Sequence, residues 1–228
     1  MSLFAIADTH LSFGTDKPMD TFEGWQDYTK RLEKNWNSVV AENDYVVIAG
    51  DISWAMNFNE LIPDFDFIDK LNGKKLILKG NHDYWWNTVK KMNEFVLENK
   101  FESISFLYNN SYEFDSFSVC GSRGWLFDSD EEQDEKVLNR EVIRLKMSLD
   151  SAQCDEKIVF LHYPPVTTNE KCEEILNLLK EYGIKKCYYG HLHGVAARYA
   201  IDDTIDEIDF KLISADRLNF MPYLIKKF

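Results

Sequence analysis

Tyr45-Val46-Val47-Ile48-Ala49-Gly50-Asp51 is the stretch from which the fold of this chain is read. A short apolar run closed by glycine reads as a buried strand. The glycine lets the backbone turn tightly, so Asp51 projects over the end of that strand. The same pattern recurs along the chain. Leu3–Ala7 runs into Asp8-Thr9-His10, and Lys75–Leu78 into Gly80-Asn81-His82-Asp83. Ile158–Leu161 runs into His162-Tyr163-Pro164-Pro165, and Cys187–Tyr189 into Gly190-His191-Leu192-His193-Gly194. Helical spacing fills the intervals: Trp25, Tyr28, Leu32, Trp36, Val39 and Val40; the segment from Trp86 to Asn99; and Ile175, Leu178, Leu179 and Tyr182. Strand–helix alternation of this kind predicts an α/β fold with substantial parallel pairing. Two segments break the alternation. Phe106 to Cys120, interrupted at Asn109-Asn110 and Asp115-Ser116, and Arg198 to Ile213, with a polar Asp202-Asp203 turn, read as antiparallel additions. The sheet is therefore expected to be mixed, or to be a pair of sheets.

The length of 228 residues fits one large domain, residues 1–228, and no Ser/Gly/Pro-rich linker or internal repeat divides it. A formal net charge of -13 and the absence of any basic run argue against a nucleic-acid polymer or an anionic membrane surface as partner. A small anionic substrate stays open, because a bound metal can reverse the local field. Cys120, Cys154, Cys172 and Cys187 form no C-x-x-C pair, so free thiols in a reducing compartment are expected. With no leader-like N-terminus and no membrane-length apolar stretch, the expected location is the cytoplasm. The oligomeric state is not legible. The acidic run Asp128 to Glu135 reads as a solvated loop entering a helix.

All five histidines, His10, His82, His162, His191 and His193, follow a strand within a few residues. Ligands of open α/β sheets bind beyond the carboxyl ends of the strands. Imidazoles converging there, with Asp8 and Asp51, make a metal-site pattern. Asp8 and His10, like His191 and His193, are two apart, so an extended backbone points each pair the same way. Mixed oxygen and imidazole donors suit Mn, Fe and Zn better than Ca.

The ordered blocks Asp8-Thr9-His10, Gly50-Asp51, Gly80-Asn81-His82-Asp83, His162 and Gly190-His191-Leu192-His193 resemble the calcineurin-like metallophosphoesterase superfamily. The resemblance implies two mixed β-sheets packed face to face between outer helices, an αββα sandwich. It implies a dinuclear centre of Mn, Fe or Zn. Asp8, His10 and His193 would hold one metal, Asn81, His162 and His191 the other, and Asp51 would bridge them. It further implies hydrolysis of a small phosphodiester or phosphomonoester by a metal-bridging hydroxide. Two metals about 3.5–4 Å apart can clamp the oxygens of such a displacement. His82 would stabilise the developing charge or protonate the leaving oxygen, with Asp83 orienting or charging its imidazole.

Members of this superfamily that act on phosphoproteins place an arginine after the bridging aspartate and another after the Gly-Asn-His block. Asp51-Ile52-Ser53-Trp54-Ala55 and His82-Asp83-Tyr84-Trp85-Trp86 contain none, which disfavours a Ser/Thr phosphoprotein phosphatase. Trp54, Trp85 and Trp86 instead form either the walls of a substrate pocket or ordinary core. A metal-retaining scaffold without turnover is a further alternative. Arg123, in Gly121-Ser122-Arg123-Gly124-Trp125, is a candidate phosphate contact or a partner of the acidic stretch after it. Ser122–Gln133 is a candidate lid or substrate loop.

Overall fold

A computed structural model describes residues 1–125 and 135–228. Most of the proposed lid, and nearly all of the acidic run, lies outside the described residues.

Two sheets form the centre. The first holds β1 (Ser2–Ile6), β2 (Tyr45–Ala49), β3 (Lys74–Leu78) and β4 (Ile104–Phe106) in parallel. The C-terminal strand β11 (Tyr223–Lys227) pairs antiparallel with β1. In the second sheet, β6 (Ser118–Ser122), β7 (Lys157–Leu161), β8 (Lys186–Tyr189) and β10 (Ile208–Leu212) are parallel. The short strands β5 (Tyr112–Glu113) and β9 (Thr204–Ile205) flank it antiparallel. Both sheets are mixed, as expected.

The near-continuous apolar strands are explained by burial on both faces. Leu3 and Ala5 of β1, and Ala7 just beyond it, face the second sheet, where they pack with Val47, Ala49, Val119 and Phe160. Phe4 and Ile6 point the other way, into a layer shared with α1 (Tyr28–Val39), α2 (Phe58–Lys70) and α3 (Val89–Glu98). The outer face of the second sheet is covered by α4 (Glu135–Ser151) and α5 (Glu173–Glu181). Four layers result, helices outside and sheets inside.

Some boundaries differ from the sequence reading. Trp25 is buried but precedes α1, Val39 at its end is exposed, and Trp86 precedes α3, which Thr88 caps. The second hairpin turns at Asp206-Glu207, both in the left-handed region (φ 50° and 64°), rather than at Asp202-Asp203. Two consecutive positive φ values suit the right-handed twist of hairpin strands. Asp202 instead accepts a hydrogen bond from the Leu212 amide at 2.7 Å.

At one edge the sheets are stitched directly together. Ala7 donates to the Ile213 carbonyl and accepts from the Ala215 amide, both at 2.8 Å. The loops after β1, β2, β3, β7 and β8 gather there. No helix among the described residues is long and apolar enough to cross a membrane.

Candidate metal centre

Asp8, Asp51 and His162 come from three different strand ends, yet their ligand atoms lie within 4.8 Å of one another. All three side chains are buried. His162 Nε2 is 3.5 Å from Asp51 Oδ2, and its Nδ1 is 3.8 Å from Asp8 Oδ1. Asn81 joins them, with Oδ1 2.7 Å from His162 Nε2 and 3.0 Å from His191 Nδ1. His10 completes the other side, with Nε2 3.8 Å from Asp51 Oδ2 and its ring 5.1 Å from that of His193. All seven residues expected to hold metal are thus brought to one place.

The backbone is bent to achieve this. Asp8, His10, Asp51 and His191 adopt φ of 57°, 45°, 50° and 70°. Non-glycine residues in the left-handed region cost conformational energy and cluster at functional sites. Neighbouring glycines make room. A Cβ on Gly190 would sit 2.5 Å from Ala7 Cβ and 2.9 Å from Asp8 Oδ2, and one on Gly80 would overlap the Asp51 carboxylate.

The electrostatics of the chain alone are unfavourable. Burial raises the Asp8 carboxyl to about 8 and holds Asp51 well above the ordinary range, Asp83 and Asp8 adding to the effect on Asp51. Burial also lowers His10 and His162 well below the usual imidazole value and His191 to about 4. The imidazoles are therefore neutral and cannot compensate the acids.

These donors fit a cation. His162 Nδ1 lies 3.1 Å from the Ala49 carbonyl, an acceptor, so that nitrogen carries the proton and Nε2 presents its lone pair. The same lone pair faces the oxygens of Asn81 and Asp51. Acceptors facing acceptors in a dry cleft are costly, and a metal ion among them removes that cost. His10 makes the same point, because both its ring nitrogens are buried without a hydrogen-bond partner.

The remaining expected residues fall at different places. His82 is half-buried beside the cluster, its Nδ1 3.2 Å from Tyr84 Oη and its ring 5.8 Å from His10. Burial, then His193 and Lys17, lower it to about 4. Asp83 does not orient this imidazole. Its buried carboxylate accepts from the amides of Gly80 (2.7 Å), Asp51 (2.9 Å) and Ile52 (2.9 Å) and from the Trp85 indole (3.1 Å). It ties the loop after β3 to the loop after β2, and a carboxylate with four amides in reach, that of Ser53 at 3.4 Å included, satisfies itself better there than in the cleft.

Arg123 is paired with the buried Glu141 of α4 at 3.4 Å, while nearly all of the acidic stretch lies outside the described residues. Its guanidinium lies 5.9 Å from the Tyr163 ring, which in turn packs 4.4 Å from His191. The tryptophans divide. Trp85 and Trp86 are core, against Phe65 and Phe106. Trp54 stacks on His10 (5.0 Å, 21°) and reaches His82 at 4.5 Å.

Sequence reasoning missed Tyr28, whose hydroxyl donates to the His10 carbonyl at 3.0 Å, and Asp216, which accepts from the Gly194 amide at 2.6 Å. Neither sits in a motif; only the folded loops bring them there.

The profile of the family described as Calcineurin-like phosphoesterase matches residues 1–195. An uncharacterized protein of Methanocaldococcus jannaschii is 30% identical over 86 residues, 36% of this chain. That match spans 46% of the archaeal protein, about half its length. Among solved structures, a protein of unknown function from Aquifex aeolicus superposes with a TM-score of 0.55 at 16% identity, covering 98% of this chain and 95% of the other. The phosphopantetheinyl hydrolase of Mycobacterium tuberculosis superposes at 0.58 and 14%, with the same two coverages. At these identities the likeness shows the fold.

Proposed function

Because this chain belongs to the calcineurin-like phosphoesterase family, we propose that it hydrolyses small phosphate esters, monoesters or diesters, with two metal ions of Mn, Fe or Zn type. The observation that carries this reading is the convergence of Asp8, Asp51 and His162 from three strand ends, with lone pairs facing lone pairs. Asp8, His10 and His193 would hold one ion and Asn81, His162 and His191 the other, with Asp51 shared between them. Bound there, the ions would supply an acidified water and neutralise the charge of the phosphate.

In the reaction, the water oxygen bonds to phosphorus. The ester P–O bond breaks with its electron pair going to the leaving oxygen, which takes a proton and departs as the alcohol. The chain's own side chains prepare this. His82, held neutral by burial, hydrogen-bonds a phosphate oxygen and stabilises charge as it grows. Asp83 is a positioning residue: by holding the Asp51 and Gly80 amides it sets where Asp51 and Asn81 stand. Arg123, kept in place by Glu141, lies toward the His191 side of the site, where it assists an anionic substrate.

Trp54 at the cleft supports a small organic ester over a phosphoprotein. The test is metal-reconstituted protein on matched monoesters and diesters, with nucleotides, cyclic nucleotides, a phosphopantetheinyl compound and phosphoserine peptides in the panel. Turnover of small esters is expected. Efficient turnover of phosphoserine peptides alone would reverse the assignment, and none on any ester would favour a scaffold.

A further inference from the structure

On the His82 and His193 side the cluster opens into a chamber of about 650 Å³. Met19, Phe22 and Trp25 form one wall, from the segment between β1 and α1, and Trp54 and Val195 are also among its lining. Phe22 and Val195 are 57% and 75% exposed, a large apolar surface left in water beside a polar centre. Apolar residues in a concave site next to reactive groups are characteristic of small-molecule pockets.

Resting on the phosphoesterase reading, we infer that this chamber takes the alcohol portion of the substrate, and that the alcohol is apolar and uncharged. Position supports this, since the chamber is bounded by His82 and His193, so an ester whose phosphorus lies over the cluster directs its leaving group there. Chemistry supports it too. A polyol or sugar would exchange water for walls that return few hydrogen bonds, which costs binding. A nucleotide or other anionic leaving group would meet Glu23, the carboxylate that lines the chamber. The exposed Lys17 lies with Nζ 4.7 Å from the centre of the Trp54 ring. It places a positive charge on the His82 side of the cluster, suited to the phosphate oxygens.

The test uses manganese-reconstituted protein and phosphate esters of ethanol, butanol and hexanol, each as monoester and as methyl diester. These alkanols leave with similar intrinsic reactivity, so only apolar surface varies. In whichever ester class turns over, kcat/KM should rise roughly fourfold per methylene until the chamber is filled. Glycerol phosphate should be poorer than propyl phosphate. Phe22→Ala should lower the hexyl-to-ethyl ratio several-fold, and Val195→Asp, at an exposed position that folding tolerates, should do the same. The ratio is insensitive to the fraction of folded enzyme. Turnover with a flat ratio in wild type, or a slope untouched by both substitutions, would overturn this inference alone. Absence of turnover on every ester would overturn the phosphoesterase reading and this inference with it.

Discussion

The first sheet brings both carboxylates, Asp8 and Asp51, to the centre, whereas the second brings only imidazoles, His162, His191 and His193. The two halves are also held differently. Loops of the first sheet are tied by buried acids: Asp83 grips the amides of Gly80, Asp51 and Ile52, and Asp64 accepts from the Phe13 amide at 2.7 Å and from the Ser53 hydroxyl. Among the described residues, loops of the second are tied mainly by backbone, with Asp216 accepting from the Gly194 amide and Asp8 of the first half accepting from the His191 amide. His162 and Tyr163 donate to the Arg123 carbonyl, and Gly190 donates to the His162 carbonyl at 3.1 Å. Burial raises all four acids of the first half. That half therefore concentrates the cost of ionising buried carboxylates, and a cation placed between the halves offsets it.

Breaking the acid half at its centre should have the largest effect. Asp51→Asn removes the charge that the proposed centre shares between two ions, and turnover should fall by more than roughly 10³-fold along with metal content. Elemental analysis beside a steady-state assay checks both losses.

His82→Ala sharpens the comparison, since it removes a group between the halves that the proposed assignment leaves without a metal. Metal content should stay intact while kcat falls on the order of 10²–10³-fold. A phosphate-stabilising role predicts equal losses for aryl and alkyl leaving groups. A smaller loss for the aryl ester would assign His82 to proton donation, and a missing metal would make it a ligand.

Asp83→Asn keeps the shape but turns an acceptor into a partial donor against amides. A drop in kcat of about 10–100-fold is expected through displaced Asp51 and Asn81, with weakened metal affinity. Metal titration of the variant separates this from a direct role, which would leave affinity unchanged.

The smallest effect concerns Asp64, away from the centre. Burial raises its carboxyl to about 6 from 3.8, so the folded protein binds this proton more tightly than the unfolded chain. Wild type should therefore gain stability relative to Asp64→Asn as pH falls from about 6 to about 4, and hold that gain below. Denaturant melts of both metal-free proteins across that range check the sign.

Much of this was legible in the sequence because strands buried on both faces read as short apolar runs, and five such runs ended in the residues that now converge. What was hidden depended on tertiary placement. α2 carries Pro63 in its interior, which breaks the helical reading, while Asn57 caps it through the amides of Asn59 and Glu60. Trp25 follows the spacing of α1 because it packs into the same core from the preceding loop. The true partners of Asp83 are backbone amides, which no side-chain pattern announces. Trp54 and Trp85 look alike in sequence, and only the fold sends one to the cleft and the other to the core.

The central claim is that acids from one sheet and imidazoles from the other enclose a pair of metal ions, and metal stoichiometry tests it most directly. Wild-type protein saturated with manganese and freed of excess should carry about two ions per chain by elemental analysis. Asp51→Asn should carry clearly fewer. Protein that takes up no metal on titration, or an Asp51→Asn variant that retains the full complement, would contradict the account.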